Sequence, residues 1–432
     1  MPLFITDTLT RRNKRRAEFK KLHTQFIVIV MQKSTPTIFL TSRSGQLGGM
    51  ELRLADEARF FSDIGHRCIL APSKFPGRNQ WMDAVLANDS SLSMKEFNPP
   101  PFFEEWNWRR LNRLFATAIH LRLLKSWNIS LSHIMYAWTQ EGGSRLWLSH
   151  KAGIPAVLSI HNAFPKAEFS RWHEKMTADS FASVRGIYAV SQSALSCFMA
   201  SYDRFVRPGT VIDVIPNFVD ISRYAPSKSR RASIRKSLGI PENSPVIGSI
   251  GRLDNQKKPF SVLEIFSTIT KIHPGAHLIF CGQGPLAEAV KAESIRFPWR
   301  NQVHFLGFRN DTESVMAALD VHLLLSQQEG FGIVNAEAMA CEIPSVATNV
   351  PGTCDAFKGS GAAILVPYDN NTIAAEAVSM LLSNKEKRIS MGAAGRKHAS
   401  QYLSKDAWRE MIFNFYNRSA PELFRTNPIA GT

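Results

Sequence analysis

Val321-His-Leu-Leu-Leu325 followed by Glu329-Gly-Phe-Gly-Ile-Val-Asn-Ala-Glu337 is the stretch that decides how this chain is read. The first run is short, apolar and bounded by polar residues, which marks a buried strand. Asn335-Ala-Glu-Ala-Met-Ala-Cys341 consists of good helix formers. Glu329 therefore belongs on the turn leaving a strand, and Glu337 on the helix that follows. The first turn of that helix presents backbone N–H groups without intrahelical partners, an arrangement that binds anions. Gly330 and Gly332 let the backbone approach a ligand. A carboxylate beside a phosphate is repulsive, so the glutamates need another task. Accepting hydrogen bonds from hydroxyls suits an ionised carboxylate, which is an acceptor only. Phosphate and hydroxyls together suggest a nucleotide sugar.

The same alternation of strand and helix runs outward from this stretch. Thr37-Ile-Phe-Leu40 predicts a strand, followed by the glycine-rich turn Gly45-Gln-Leu-Gly-Gly49, a helix from Met50 and a strand at Arg67-Cys-Ile-Leu70. That is a βαβ start with glycines where a phosphate-binding turn would lie. Further strands are expected near residues 155–160, 186–190 and 211–215. A second series opens at Val246-Ile-Gly-Ser-Ile250 and continues through strands near 277–280, 303–306 and 321–325, with short ones near 344–347 and 363–366. Turn residues without apolar periodicity at 217–226 place a boundary there. Two consecutive series of similar size predict two doubly wound α/β domains facing each other across a cleft.

Bulk properties narrow the function classes. The chain has 432 residues and 44% hydrophobic content, enough for two or three globular domains. No apolar stretch approaches the ~20 residues of a membrane span, and no secretion signal is read. The five cysteines are widely spaced and form no CxxC pair, so neither a zinc site nor a disulfide framework is indicated, and a cytoplasmic setting fits. The formal charge of +16 admits nucleic acid, anionic membrane or an acidic substrate as partner. Nothing like a nucleic-acid-binding motif accompanies it, so no nucleic-acid partner is expected. Much of the excess lies in Arg11-Arg-Asn-Lys-Arg-Arg16 and Lys20-Lys21. This run reads either as a solvated tail or as an adhesion point for anionic lipid on the inner face of a membrane.

Several short motifs, in order and spacing, resemble the family 4 retaining glycosyltransferases of the GT-B fold (group 1 glycosyltransferases). They are Gly251-Arg252-Leu253 with Lys257, Gly282-Gln-Gly284-Pro285, Phe305-Leu-Gly307, the Glu329–Glu337 pair, and Ala338-Met-Ala-Cys341 followed by Pro344. Weaker N-terminal matches are Gly48-Gly49-Met-Glu51, Gly65-His66, Ser159-Ile-His161, Ala189-Val-Ser191 and Ile215-Pro-Asn217. Together with the basic run and the turn-rich boundary, the resemblance divides the chain into a basic extension over 1–35, an acceptor domain over 36–216, a nucleotide-sugar domain over 217–400, and over 401–432 a helix crossing back to the first domain with a tail. Arg252 and Lys257 are then expected at the donor diphosphate, Glu329 and His161 at the sugar, and Glu337 at the ribose hydroxyls. The backbone of Phe331, Gly332, Ile333 and Val334, with Gly48, Gly49, Gly282 and Gly284, completes the expected donor site. Read without the family, Arg252 and Lys257 are better taken as a solvated basic turn, and His161 as an ordinary histidine among 12.

The implied activity is transfer of a hexose-type sugar, with retention, from a GDP- or UDP-sugar to a glycan or lipid-linked acceptor of bacterial surface polysaccharide. No Asp-x-Asp pair of the kind that holds a divalent ion occurs, so no metal and no cofactor is expected. Alternatives are a nucleotide-sugar epimerase on a related scaffold and a non-catalytic nucleotide-sugar-binding protein. Departures from the family pattern are Lys258 and Glu342 where glycine is common, Phe218 after Asn217, and Asp355 in place of a glutamate. An aromatic segment (Trp81, Phe102, Phe103, Trp106, Trp108) reads as core packing or membrane contact.

Overall fold

The computed structural model describes residues 35–43, 48–87, 89–100, 110–138 and 142–424. The basic extension before residue 35, Gly45, and Phe102, Phe103, Trp106 and Trp108 lie outside the described residues.

Two parallel sheets carry the chain. The first comprises β1 (Thr37–Ser42), β2 (Arg67–Pro72), β3 (Leu92–Met94), β4 (Leu131–Tyr136), β5 (Ala156–Ile160), β6 (Val184–Ala189) and β7 (Val211–Val214). The second comprises β8 (Val246–Ile250), β9 (His277–Cys281), β10 (Val303–Phe305), β11 (Val321–Leu324), β12 (Ser345–Thr348) and β13 (Ala363–Val366). Spatial order is 3-2-1-4-5-6-7 in the first sheet and 10-9-8-11-12-13 in the second, so each reverses direction beside its first strand. Thr37 pairs with Arg67 on one side of β1, and Ile38 with Leu131 on the other. In the second sheet Val246 pairs with His277, and Ile247 with Val321. Ligands bind such sheets at these switch points, beyond the carboxyl ends of the strands. The strands read as apolar runs because helices cover both faces; every residue of β1, β4 and β11 is buried.

The sequence reading places most of these elements but neither β3 nor β4. Leu131-Ser-His-Ile-Met-Tyr136 has a polar interior and no β-branched run, so it lacks the usual strand signal. Its polar groups are satisfied inside the fold: Ser149 Oγ donates to Ser132 Oγ at 2.9 Å, and His133 pairs with Ser159 and Glu57.

The helix Lys405–Ser419 crosses back to the first domain. Ser404 caps its N-terminus by accepting from the Ala407 N–H at 3.3 Å. Its buried face is Trp408, Ile412, Phe415 and Tyr416. Tyr416 meets Phe61 edge-on at 4.8 Å, and Phe415 meets Tyr188 at 5.2 Å. A Cβ on Gly186 of β6 would lie 2.7 Å from the Phe415 ring, so that glycine makes room for the helix. Four large side chains buried at about 2 kcal/mol each hold the crossover firmly against the first sheet. Phe218, the residue that departs from the family's glycine, lies 4.8 Å from the Trp408 ring and joins this packing. Arg396 fastens the connecting segment: its guanidinium donates to the carbonyls of Tyr224 (2.6 Å), Ala340 (2.7 Å) and Ile221 (2.9 Å).

Candidate functional site

The carboxyl ends of the two sheets face each other, and glycines mark where the domains meet. A Cβ on Gly330 would fall 2.0 Å from the carbonyl oxygen of His161, and one on Gly49 would fall 2.9 Å from Ile333. The N-termini of the helices Gly49–Asp63 and Ile333–Ala340 therefore confront each other, with His161, Glu329 and Gly330 beside them. Asp355 adds a third contact, accepting from the Ser193 N–H at 2.7 Å, where the helix Gln192–Tyr202 begins. A carboxylate suits that position because of the unpaired N–H groups there.

On the second domain, Glu329 sits on the turn after β11 and Glu337 on the helix Ile333–Ala340, as the sequence predicts. Gly332 begins that helix at φ 74°, a conformation glycine adopts without cost. Glu329 is 6% exposed. One of its oxygens, Oε1, accepts from Ser326 Oγ at 2.6 Å and is ion-paired to Lys257 Nζ. The sequence reading assigns Lys257 to phosphate and Glu329 to sugar as separate groups; the structure joins them as one unit. An ammonium has three donors, so Lys257 retains capacity for a phosphate oxygen. Asp254 orients this turn by accepting from the Lys257 N–H at 3.1 Å. Lys258 points elsewhere, pairing with Asp369 and lying 4.7 Å over the Tyr368 ring. Its φ of 49° explains why glycine is common at this position, and Glu342 has a φ of 60° for the same reason.

Arg252 is more exposed, its guanidinium 3.3 Å from Asp254 and 3.4 Å from Gln256. Gly282 and Gly284 stand behind it. Side chains there would meet the backbone of Gly251 and Leu253 at 1.9 and 2.4 Å, so both let one loop lie directly on another. Buried polar atoms ring the Glu329 turn. Asn162 Oδ1, Gln328 Nε2, Asn335 Oδ1 and Thr353 Oγ1 have no hydrogen-bond partner among the described residues.

Glu337 is half-buried, and burial pushes its carboxyl up to about 7 against the pull of the Tyr224 hydroxyl and Arg223. Tyr224 also bonds Thr312 Oγ1 at 2.7 Å. Tyr224 and Arg223 lie in the connecting segment, where turn-like composition conceals any site role. On the first domain, Gly48 and Gly49 begin a helix whose Glu51 reaches back to the Gly48 N–H at 3.1 Å. His161 follows β5, its Nε2 2.9 Å from Ser159 Oγ, and burial pushes its imidazole down to about 3. Among the described residues no cluster of three or more His, Cys, Asp or Glu could hold a metal ion, and no helix is long and apolar enough to cross a membrane.

Two parallel sheets that each reverse at a switch point, with helix N-termini facing each other across one cleft, define a GT-B architecture. Residues 47–223 match Glycosyltransferase Family 4, and residues 230–398 match Glycosyl transferases group 1. The chain belongs to this family. A D-inositol 3-phosphate glycosyltransferase of Corynebacterium jeikeium is 31% identical over 220 residues, 49% of this chain and 52% of that one. An N-acetyl-alpha-D-glucosaminyl L-malate synthase of Bacillus anthracis is 28% identical over 215 residues, 49% of this chain and 54% of that one. The match to each spans about half of the relative's length. The Anabaena protein HepE, solved in complex with UDP, superposes with a TM-score of 0.71 at 22% identity, covering 88% of this chain and 98% of that one. That likeness shows the fold.

Proposed function

We propose that the cleft binds a nucleoside-diphosphate sugar and transfers its hexose-type sugar, with retention of configuration and without a metal ion, to a glycan or lipid-linked acceptor. The observation that carries this reading is the convergence of Lys257, Glu329, His161 and two facing helix N-termini where both sheets reverse. Arg252, Lys257 and the Ile333 helix start neutralise the leaving diphosphate, a task for preorganised donors and cations. Glu329, His161 and the unpaired amides around them meet sugar hydroxyls, and Glu337 meets the ribose. The leaving phosphate helps deprotonate the acceptor hydroxyl, so no carboxylate nucleophile is needed. The UDP complex of HepE supports a nucleotide donor, and the names of the two relatives support the joining of a sugar to an acceptor. Exposed Phe115 and Ile119, one turn apart on the helix Arg110–Ser126, support contact with an amphipathic acceptor or an anionic membrane during surface polysaccharide synthesis.

Thermal unfolding in the presence of UDP, GDP, ADP and their sugars tests the donor. A ligand at a hundred times its Kd stabilises the fold by about 2.7 kcal/mol. The reading fails if no nucleotide raises the unfolding temperature and Glu329→Ala leaves sugar transfer and donor hydrolysis unaltered.

Glu337 supplies a pH signature. Its carboxyl titrates near 7 in the fold against an ordinary 4.5, so the folded chain binds the extra proton between these values. Stability contributed by this group therefore falls as pH rises from about 4.5 through 7. A ribose hydroxyl donating to the ionised form reverses the preference. Nucleotide affinity should thus increase about tenfold from pH 6 to pH 8 beyond the change due to phosphate ionisation. Calorimetric titration of UDP or GDP into wild type and Glu337→Gln isolates the term; equal pH slopes in the two proteins would remove Glu337 from the ribose.

A further inference from the structure

Behind His161 runs a chain of buried polar groups that the transfer reaction leaves unused. Glu57 and His133 are fully buried. Glu57 accepts from Arg53 Nε at 3.3 Å, from Tyr416 OH at 3.0 Å, from Tyr188 OH, and from His133 Nδ1 at 2.9 Å. An ionised carboxylate offers about four acceptor sites, and these four donors fill them. Beyond it, His133 Nε2 lies 2.8 Å from Ser159 Oγ, which lies 2.9 Å from His161 Nε2.

We propose that Glu57, His133 and Ser159 are positioning residues that hold His161 as its Nε2–H tautomer, keeping Nδ1 a hydrogen-bond acceptor for the ligand in the cleft. Counting protons gives the direction. The Arg53 guanidinium, 4.2 Å over the Trp408 ring, already balances the single charge of Glu57. Its Nη1 and Nη2 have no hydrogen-bond partner among the described residues, so this region holds its one cation without spare acceptors. A proton on His133 would add a second cation where no solvent reaches, at high cost. A neutral His133 imidazole donates through Nδ1 to Glu57 and carries its lone pair on Nε2. Ser159 must give its single hydrogen to that lone pair. Its oxygen then has only acceptor capacity left, so His161 donates from Nε2. The other nitrogen of a neutral imidazole is bare, and the bond made by one ring nitrogen sets the state of the other. Nδ1 of His161 meets no protein group among the described residues and is left for a ligand hydroxyl. Burial, which holds His161 well below its ordinary range, agrees with a neutral ring.

The crossover helix takes part through Tyr416, whose hydroxyl also lies 3.1 Å from His133 Nδ1. The C-terminal segment thus joins the chain of groups that ends on His161.

What meets Nδ1 rests on the donor-site reading; the tautomer itself is measurable without any substrate. Full-length protein with ring-15N histidine is compared by long-range proton–nitrogen correlation in wild type, Ser159→Ala and Glu57→Gln, with His161→Gln supplying the assignment. Wild type should show His161 protonated at Nε2 and bare at Nδ1. Ser159→Ala, which removes one oxygen, should give mixed tautomers, a turnover lowered about tenfold and a donor KM changed less than about twofold, the size of one lost hydrogen bond. Glu57→Gln should mix the tautomers of His133 and His161 together. If that variant fails to fold, Ser159→Ala decides alone. A proton on Nδ1 in wild type, or an unaltered His161 pattern in folded Ser159→Ala, overturns the proposal. The expected tautomers in a protein that binds no nucleotide sugar would uphold the relay and sink the donor reading separately.

Discussion

Lys257→Ala is expected to cut sugar transfer by about 10²–10³-fold, the usual loss when a preorganised charge donor at a reacting centre is removed. It should also destabilise the fold by about 2–4 kcal/mol. The side chain of Glu329 is 8% exposed and that of Lys257 is 15% exposed. Removing the ammonium leaves the carboxylate buried, with Ser326 as its remaining side-chain donor among the described residues. An uncompensated buried charge costs more than the intact pair contributes, whereas replacing both partners with neutral groups of similar size is nearly neutral. Lys257→Met combined with Glu329→Gln should therefore recover most of the lost stability and none of the lost activity. Urea unfolding and steady-state transfer assays on both single variants and the double variant check this. If both properties return together in the double variant, the pair serves only the fold. If Lys257→Ala is as stable as wild type, the pair is not a structural unit.

That coupling marks a limit of the sequence. Spacing alone placed Glu329 on a turn and Glu337 on a helix, because apolar runs and helix formers are local signals, and the structure agrees. The two doubly wound sheets were legible for the same reason. Which lysine faces Glu329 was not, since Lys257 and Lys258 are adjacent and chemically alike. The left-handed conformation at Lys258 turns its side chain toward Asp369, and a sequence does not display φ. Glu57, His133 and Tyr416 were hidden more deeply, lying 76 and 283 residues apart in a chain where only folding brings them together. One local clue existed. Arg53 and Glu57 are spaced i, i+4 on a face otherwise filled by Leu54, Ala58 and Phe61. A charged pair set among core positions costs too much to be casual. Arg223 and Tyr224 carried no such mark, because a connecting segment shows no periodicity from which to read a buried side chain.

Gly330→Ala should lower turnover about 100-fold while leaving the thermal unfolding temperature within a few degrees of wild type. The added Cβ would lie 2.0 Å from the His161 carbonyl oxygen and 2.8 Å from the Asn162 Cα, both backbone atoms of the opposite domain. No side-chain rotation relieves that contact. Retreat into the second domain is limited, because the Glu329–Gly330 backbone packs so closely on Gly352 that a Cβ there would lie 2.3 Å from the Glu329 carbonyl oxygen. The remaining relief is a separation of the two domains by about 1 Å, and a displacement of that size at a reacting centre costs about 10²-fold. Gly282→Ala provides the contrast. Its Cβ would press to 1.9 Å on the Gly251 carbonyl oxygen, an equally deep overlap but inside one domain, and its φ of 143° disfavours any side chain. There the strain has no cleft to open, so stability should fall by about 3 kcal/mol or more. Parallel melting curves and transfer assays on the two variants separate the cases. If Gly330→Ala melts as early as Gly282→Ala, its overlap is absorbed within the second domain, and the approach of His161 to the Glu329 turn is not what sets the rate.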